Sequence, residues 1–121
     1  MVLRAFAAHP KYRKSDEAKK AGEQLISRFF KNDKYTDRQG KNFWERVSFP
    51  FWFTDIISSL DSLYFLGFNR NNLQIEGALN FLRNTQNENG TFNLKIIRGK
   101  DKDSLYWICL AICRLFKRYY E

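Results

Sequence analysis

The sequence predicts an all-α fold built of antiparallel helical hairpins, and three observations carry that prediction. Apolar residues recur at helical spacing through residues 15–30, 57–67 and 75–86; capping and turn residues bracket those stretches; and the chain closes on a long apolar run with a basic end. With 121 residues there is room for one core, so residues 1–121 read as a single domain.

Taken in order, residues 1–8 are apolar enough to be the tail of a helix stopped by His9-Pro10, so the chain reads as beginning inside an element of a longer protein. Ser15 is the expected N-cap of the next helix, with Asp16 and Glu17 in its first turn and Ala18, Ala21, Leu25, Ile26, Phe29 and Phe30 on one stripe. Residues 33–48 are polar, contain Gly40, and read as a long connection. Pro50 suits the approach to a helix, Thr54 or a neighbour is expected to cap it, and Ile57, Leu60, Leu63, Tyr64 and Gly67 mark its face and its end. A short Asn-rich turn leads to Ile75, Ala78, Leu79 and Leu82, a second helix expected to lie antiparallel to the first. The final element, "DSLYWICLAICRLFKRYY", is unbroken in apolar residues from Leu105 to Cys113, which predicts a helix apolar all round and central to the core.

The letters "NTQNENGTFNL", residues 84–94, admit two readings. Asn89-Gly90 between apolar residues is a hairpin signal, but the residues before it close a helical stripe, which favours a helix running into a loop. Thr91 to Ile97 alternate enough for a short extended segment near 91–97.

The net charge is +8, and residues 1–41 hold eleven Lys or Arg against five acids, leaving ten against eight in the remainder. Basic charge gathered in this way is attracted to phosphate backbones and also keeps a domain in solution; the second effect is the simpler, and nucleic acid is disfavoured as a partner. Two cysteines, Cys109 and Cys113, fall in the most apolar run and read as inert core thiols of a reduced, cytoplasmic protein. No stretch has the length of a membrane span, so no membrane partner is expected.

"QNENGTF" places Gln86, Gly90 and Phe92 at the spacing Gln, three residues, Gly, one residue, aromatic. That motif resembles the repeat of the prenyltransferase and squalene-cyclase proteins, the terpenoid-cyclase-like α/α toroids, with Phe where Trp is usual. "FPFWFTDIISSLDSLYFLGF" is similar to that group's Phe-Pro-aromatic approach to a helix with an early Asp, "DSLYWICLAICRL" to its apolar inner helix, and "AKKAGEQLISRFF" to the helix preceding the unit. The resemblance covers nearly the whole chain and implies part of an α/α toroid, an arc rather than a closed ring at this length. It implies structural roles for Gln86, Gly90 and Phe92.

The family's chemistry is not carried over with the architecture. Its prenyltransferases hold zinc through an Asp, a Cys two residues later and a distant His. Setting Trp107 on the aromatic after that motif puts Asp101 on the Asp but Asp103 on the Cys, and His9, the one histidine, lies far upstream. A thiolate-activating zinc needs the soft ligand, so neither a metal nor a cofactor is expected. Cyclases of the family protonate an alkene with an acid cluster in a dry cavity, whereas Asp101 and Asp103 flank Lys102 in a basic loop. The aromatic wealth, 17% of residues, remains. Trp44, Phe49, Trp52, Phe53, Tyr106 and Trp107, with Asp55, are the candidate residues for an apolar ligand site.

The expectation is therefore a binding or protein-interaction module without an intact catalytic set. Its open helical edge would be covered by a second copy or a partner protein. The alternatives are a fragment of a prenyl- or terpenoid-processing enzyme that binds an apolar small molecule, and a nucleic-acid-binding domain.

Overall fold

Ser15 does what its position predicts: its hydroxyl accepts the Ala18 N–H at 3.2 Å and starts a twelve-residue helix. The computed structural model describes residues 2–32, 34, 40–49, 54–98 and 102–121. Over these the elements are α1 (Val2–Ala8), a 3₁₀ turn (Tyr12–Lys14), α2 (Asp16–Ser27), α3 (Gly40–Trp44), β1 (Arg46–Ser48), α4 (Ile56–Phe65), α5 (Leu73–Asn84), β2 (Lys95–Arg98) and α6 (Lys102–Tyr120). The fold is mostly helical, with one two-stranded sheet among the described residues.

α4 is capped by Asp55 rather than Thr54. Asp55 Oδ1 accepts the Ser58 N–H at 2.8 Å while the Ser58 hydroxyl lies 3.2 Å from the Asp55 backbone N–H, so two otherwise orphaned donors are satisfied reciprocally. At the other end Gly67, at φ 93°, donates to Tyr64 O and Phe68 donates to Leu63 O, the paired bonds of a Schellman ending. That turn folds Phe68 back over Leu63 and onto Gly22 of α2. The Asn72 side chain caps α5 by accepting the Gln74 and Ile75 N–H groups.

Two expectations are corrected by pairing between distant segments. The polar interval 33–48 holds α3 and β1 where it is described, and β1 lies parallel to β2 with Val47 opposite Ile96. Parallel strands need a long crossover, here the chain containing α4 and α5, so no local pattern announces them. Val47 is completely buried, which is why a three-residue strand holds its place. The extended segment expected near 91–97 is real but begins later, as β2 at Lys95.

α6 is the second correction. Its residues Ser104, Ile108, Ile112, Leu115 and Tyr119 form one buried stripe, but Tyr106, Trp107 and Leu110 are exposed. The helix is one-sided rather than central among the described residues, with α4 as its main helical neighbour. Cys109 is half-buried and packs against the core, whereas Cys113 is exposed, so the core-thiol reading fails at Cys113.

One hydrophobic cluster draws on all six helices and β1: Leu3, Ile26, Trp44, Val47, Leu60, Leu79 and Ile112 are representative members. α1 packs on α4 and α2, α4 on α6, and α2 on α5.

The segment 84–94 satisfies both readings of its letters. α5 ends at Asn84, and two residues later Gln86 pairs with Phe92 in an isolated antiparallel bridge. Gly90 N–H donates to Asn87 O and Asn87 N–H to Thr91 O, a tight turn in which Gly90 holds φ 87°. Only glycine takes that conformation without strain. The Gln86 amide donates to Gly90 O at 3.2 Å, and Phe92 is buried against Phe116 of α6 with ring centroids 6.0 Å apart. The hairpin set aside on sequence grounds is present, reduced to one bridge after the helix.

Candidate functional site

The described aromatic candidates fall into a core position and an outer group. Trp44 is a core residue, 5.1 Å from the Phe29 ring and 5.3 Å from Phe43, both at steep angles. Phe49 stacks parallel on Trp107 at 6.3 Å, tying the end of β1 to the first half of α6. Tyr106 and Trp107 point outward, 62% and 54% exposed. Trp52 and Phe53 lie outside the described residues, as does Asp101. The hollow lined by Arg4, Asp61 and Arg118 and the hollow lined by Arg13, Lys19 and Phe68 are not formed by the described candidate rings; among these, Trp44 lies in the core and Tyr106 and Trp107 on an outer face.

That outer face is continuous along α6. Residues 106, 107, 110 and 113 fall on one side of a helix, and three of them, Tyr106, Trp107 and Leu110, are large exposed apolar side chains. Leu110 is 49% exposed in mid-helix, although a leucine on a solvent-facing helix position gains little from being there. Arg114 and Lys117 continue the same side with charge.

Asp55 is buried at 2% exposure, and its role is that of a cap. Burial pushes its carboxyl up to about 6, an effect only partly offset by the Ser58, Ser48 and Ile57 backbone groups. Its Oδ2, like the hydroxyls of Ser48 and Ser59, has no hydrogen-bond partner among the described residues. This buried polar group at the meeting of β1 and α4 is costly when charged.

The sequence reading missed a cleft between α1, α4 and α6. It is lined by Arg4, Ser58, Asp61, Ser62, Arg114 and Arg118 over a floor of Ile57, Ala111 and Leu115, with a volume of about 130 Å³. Arg118 pairs with Asp61 across it, and the Arg118 guanidinium also lies 4.9 Å from the Phe65 ring centre. The usable signal was the spacing: Arg114 and Arg118 are four apart on α6, as are Ser58 and Ser62 on α4.

No three His, Cys, Asp or Glu side chains gather among the described residues. The His9 ring accepts N–H groups from Lys11 and Tyr12, both at 3.3 Å, and so closes the turn after α1. No helix of the described residues is long and apolar enough to cross a membrane. Comparisons with family models, curated proteins and solved structures give no match to this chain.

Proposed function

We propose that this chain is a protein-interaction domain whose outer α6 face docks on another apolar surface, with a second copy of the chain as its occupant. The observation that carries the reading is the line of Tyr106, Trp107 and Leu110, exposed together on one helix face. Aromatic residues with a flanking arginine are the side chains enriched at the centres of protein interfaces. Trp107 is held from behind by Phe49, so it loses little freedom on docking. A two-fold contact needs only this one patch, used twice.

The likeness of the sequence to prenyltransferase and squalene-cyclase repeats supports the same reading. A chain that supplies only an arc of an α/α toroid leaves a helical edge uncovered, and that edge is completed by a neighbour. Gln86, Gly90 and Phe92 then serve as the junction of the repeat. Trp44 in the core and Tyr106 and Trp107 on the outer face favour an interaction surface over a ligand site lined by these three rings.

Sedimentation velocity from micromolar to millimolar concentration tests the proposal. Self-association that Leu110→Glu abolishes is the expected result. A monomer that binds apolar dye in a Leu110-dependent way moves the occupant to a different protein. A monomer that binds no dye overturns the reading.

A further inference from the structure

The cleft between α1, α4 and α6 has the chemistry of an anion site, and we propose that it binds a phosphate group, carried on a soluble ester or on a lipid head group. Three guanidiniums, those of Arg4, Arg114 and Arg118, line it against the single carboxylate of Asp61. Asp61 is engaged with Arg118, so the cleft keeps an excess of positive charge. Arginine presents several N–H donors in a fixed fork that matches tetrahedral oxyanions, and two such forks four residues apart on one helix can hold the same group.

The walls are suited to a dianion. Ser62 contributes a hydroxyl from α4 on a largely buried residue, while the Ser58 hydroxyl beside it is engaged with the Asp55 backbone. Ile57, Ala111 and Leu115 make the floor apolar, which excludes bulk water from one side and strengthens charge-assisted hydrogen bonds. The volume of about 130 Å³ is well above the ~10–15 Å³ that one water requires and below the ~300 Å³ at which drug-sized pockets begin. A phosphate enters; the remainder of its carrier stays outside.

The Asp61–Arg118 pair sets the geometry. It fixes Arg118 on the rim beside Phe65, so that its guanidinium is oriented before an anion arrives. Arg114, exposed on the same helix, is the residue free to close over the ligand without disturbing the core.

Inorganic phosphate is the first probe, titrated at low ionic strength and followed by calorimetry and by the thermal midpoint. The expected result is saturable binding, weakened about tenfold or more in Arg114→Gln, since a charge-assisted hydrogen bond is worth that much or more. Lys19→Gln, an equal change of charge beside the other basic hollow of about 240 Å³, leaves binding unchanged. Vesicles containing phosphatidic acid, against phosphatidylcholine alone, separate the two carriers: binding with the same Arg114 dependence assigns a head group, and binding of free phosphate alone assigns a soluble ester. Absence of binding by either probe overturns the proposal, as does an equal loss in Arg114→Gln and Lys19→Gln, which would reduce it to diffuse charge attraction.

Discussion

The Tyr119 hydroxyl donates a 2.6 Å hydrogen bond to the carbonyl of Leu60, joining the last turn of α6 to the middle of α4. The phenol is buried, and burial together with Asp61 and Tyr64 pushes its ionisation well above the ordinary tyrosine value, so it remains a neutral donor. Tyr120, the next residue, is its opposite: the hydroxyl is buried with no hydrogen-bond partner among the described residues, although the Arg70 guanidinium lies 3.9 Å from the ring centre.

Adjacent Tyr→Phe substitutions should therefore differ in sign or size. Tyr119→Phe breaks a satisfied buried bond and is expected to lower stability by about 1–2 kcal/mol, whereas Tyr120→Phe removes an unsatisfied group and is expected to be neutral or slightly stabilising. Urea unfolding of both variants checks this. Equal losses would mean that the two hydroxyls have equivalent surroundings.

Asp55 predicts how stability changes with pH. Its folded value, about 6, lies above the ordinary 3.8, so the protonated form is favoured by folding. The stabilisation from that proton is full below pH 3.8 and is lost as pH rises through about 6. Asp55→Asn keeps a capping oxygen and cannot ionise, so it should be about 2 kcal/mol more stable than the parent at pH 7 and nearly equal to it at pH 4. Denaturant midpoints of both proteins across that interval measure the difference. An advantage for the variant that grows on acidification would contradict the assignment.

Gly22 and Gly77 predict opposite outcomes for the same substitution. Both are in helices, but a Cβ on Gly22 would lie 2.5 Å from Cε2 of Phe68 and 3.3 Å from Leu63, while one on Gly77 meets nothing within 4 Å. Gly77→Ala should raise stability by about 0.5–1 kcal/mol through helix propensity and the unfolded chain. Gly22→Ala must displace the Phe68 ring that the Schellman turn folds onto α2, and is expected to lower stability by about 1 kcal/mol or more. Thermal unfolding of the pair settles whether that contact is as close as the backbone implies.

The helices with strong local signals were readable from the residues. Ser15 with Asp16 and Glu17, the stripe Ile75, Ala78, Leu79 and Leu82, and the Gly67 ending each depend on interactions spanning only a few positions. The cap of α4 was readable only as Thr54 or a neighbour, because Thr54 and Asp55 are both competent and only the reciprocal bond with Ser58 separates them. β1 was not readable: Val47 is a strand residue because Ile96 lies beside it, far along the chain.

The candidate site shows the same division more sharply. The sequence by itself determined that this chain is a mostly helical domain, that its last helix is rich in apolar side chains, and that Gly90 marks a turn. Tertiary structure decided that Trp44 is core while Trp107 is surface, that Asp55 is a buried cap, and that Arg4 meets Arg114 and Arg118 across a cleft. Caps and helical stripes are set by neighbours within a turn of one another, whereas exposure and clefts depend on which distant segment arrives to cover a face.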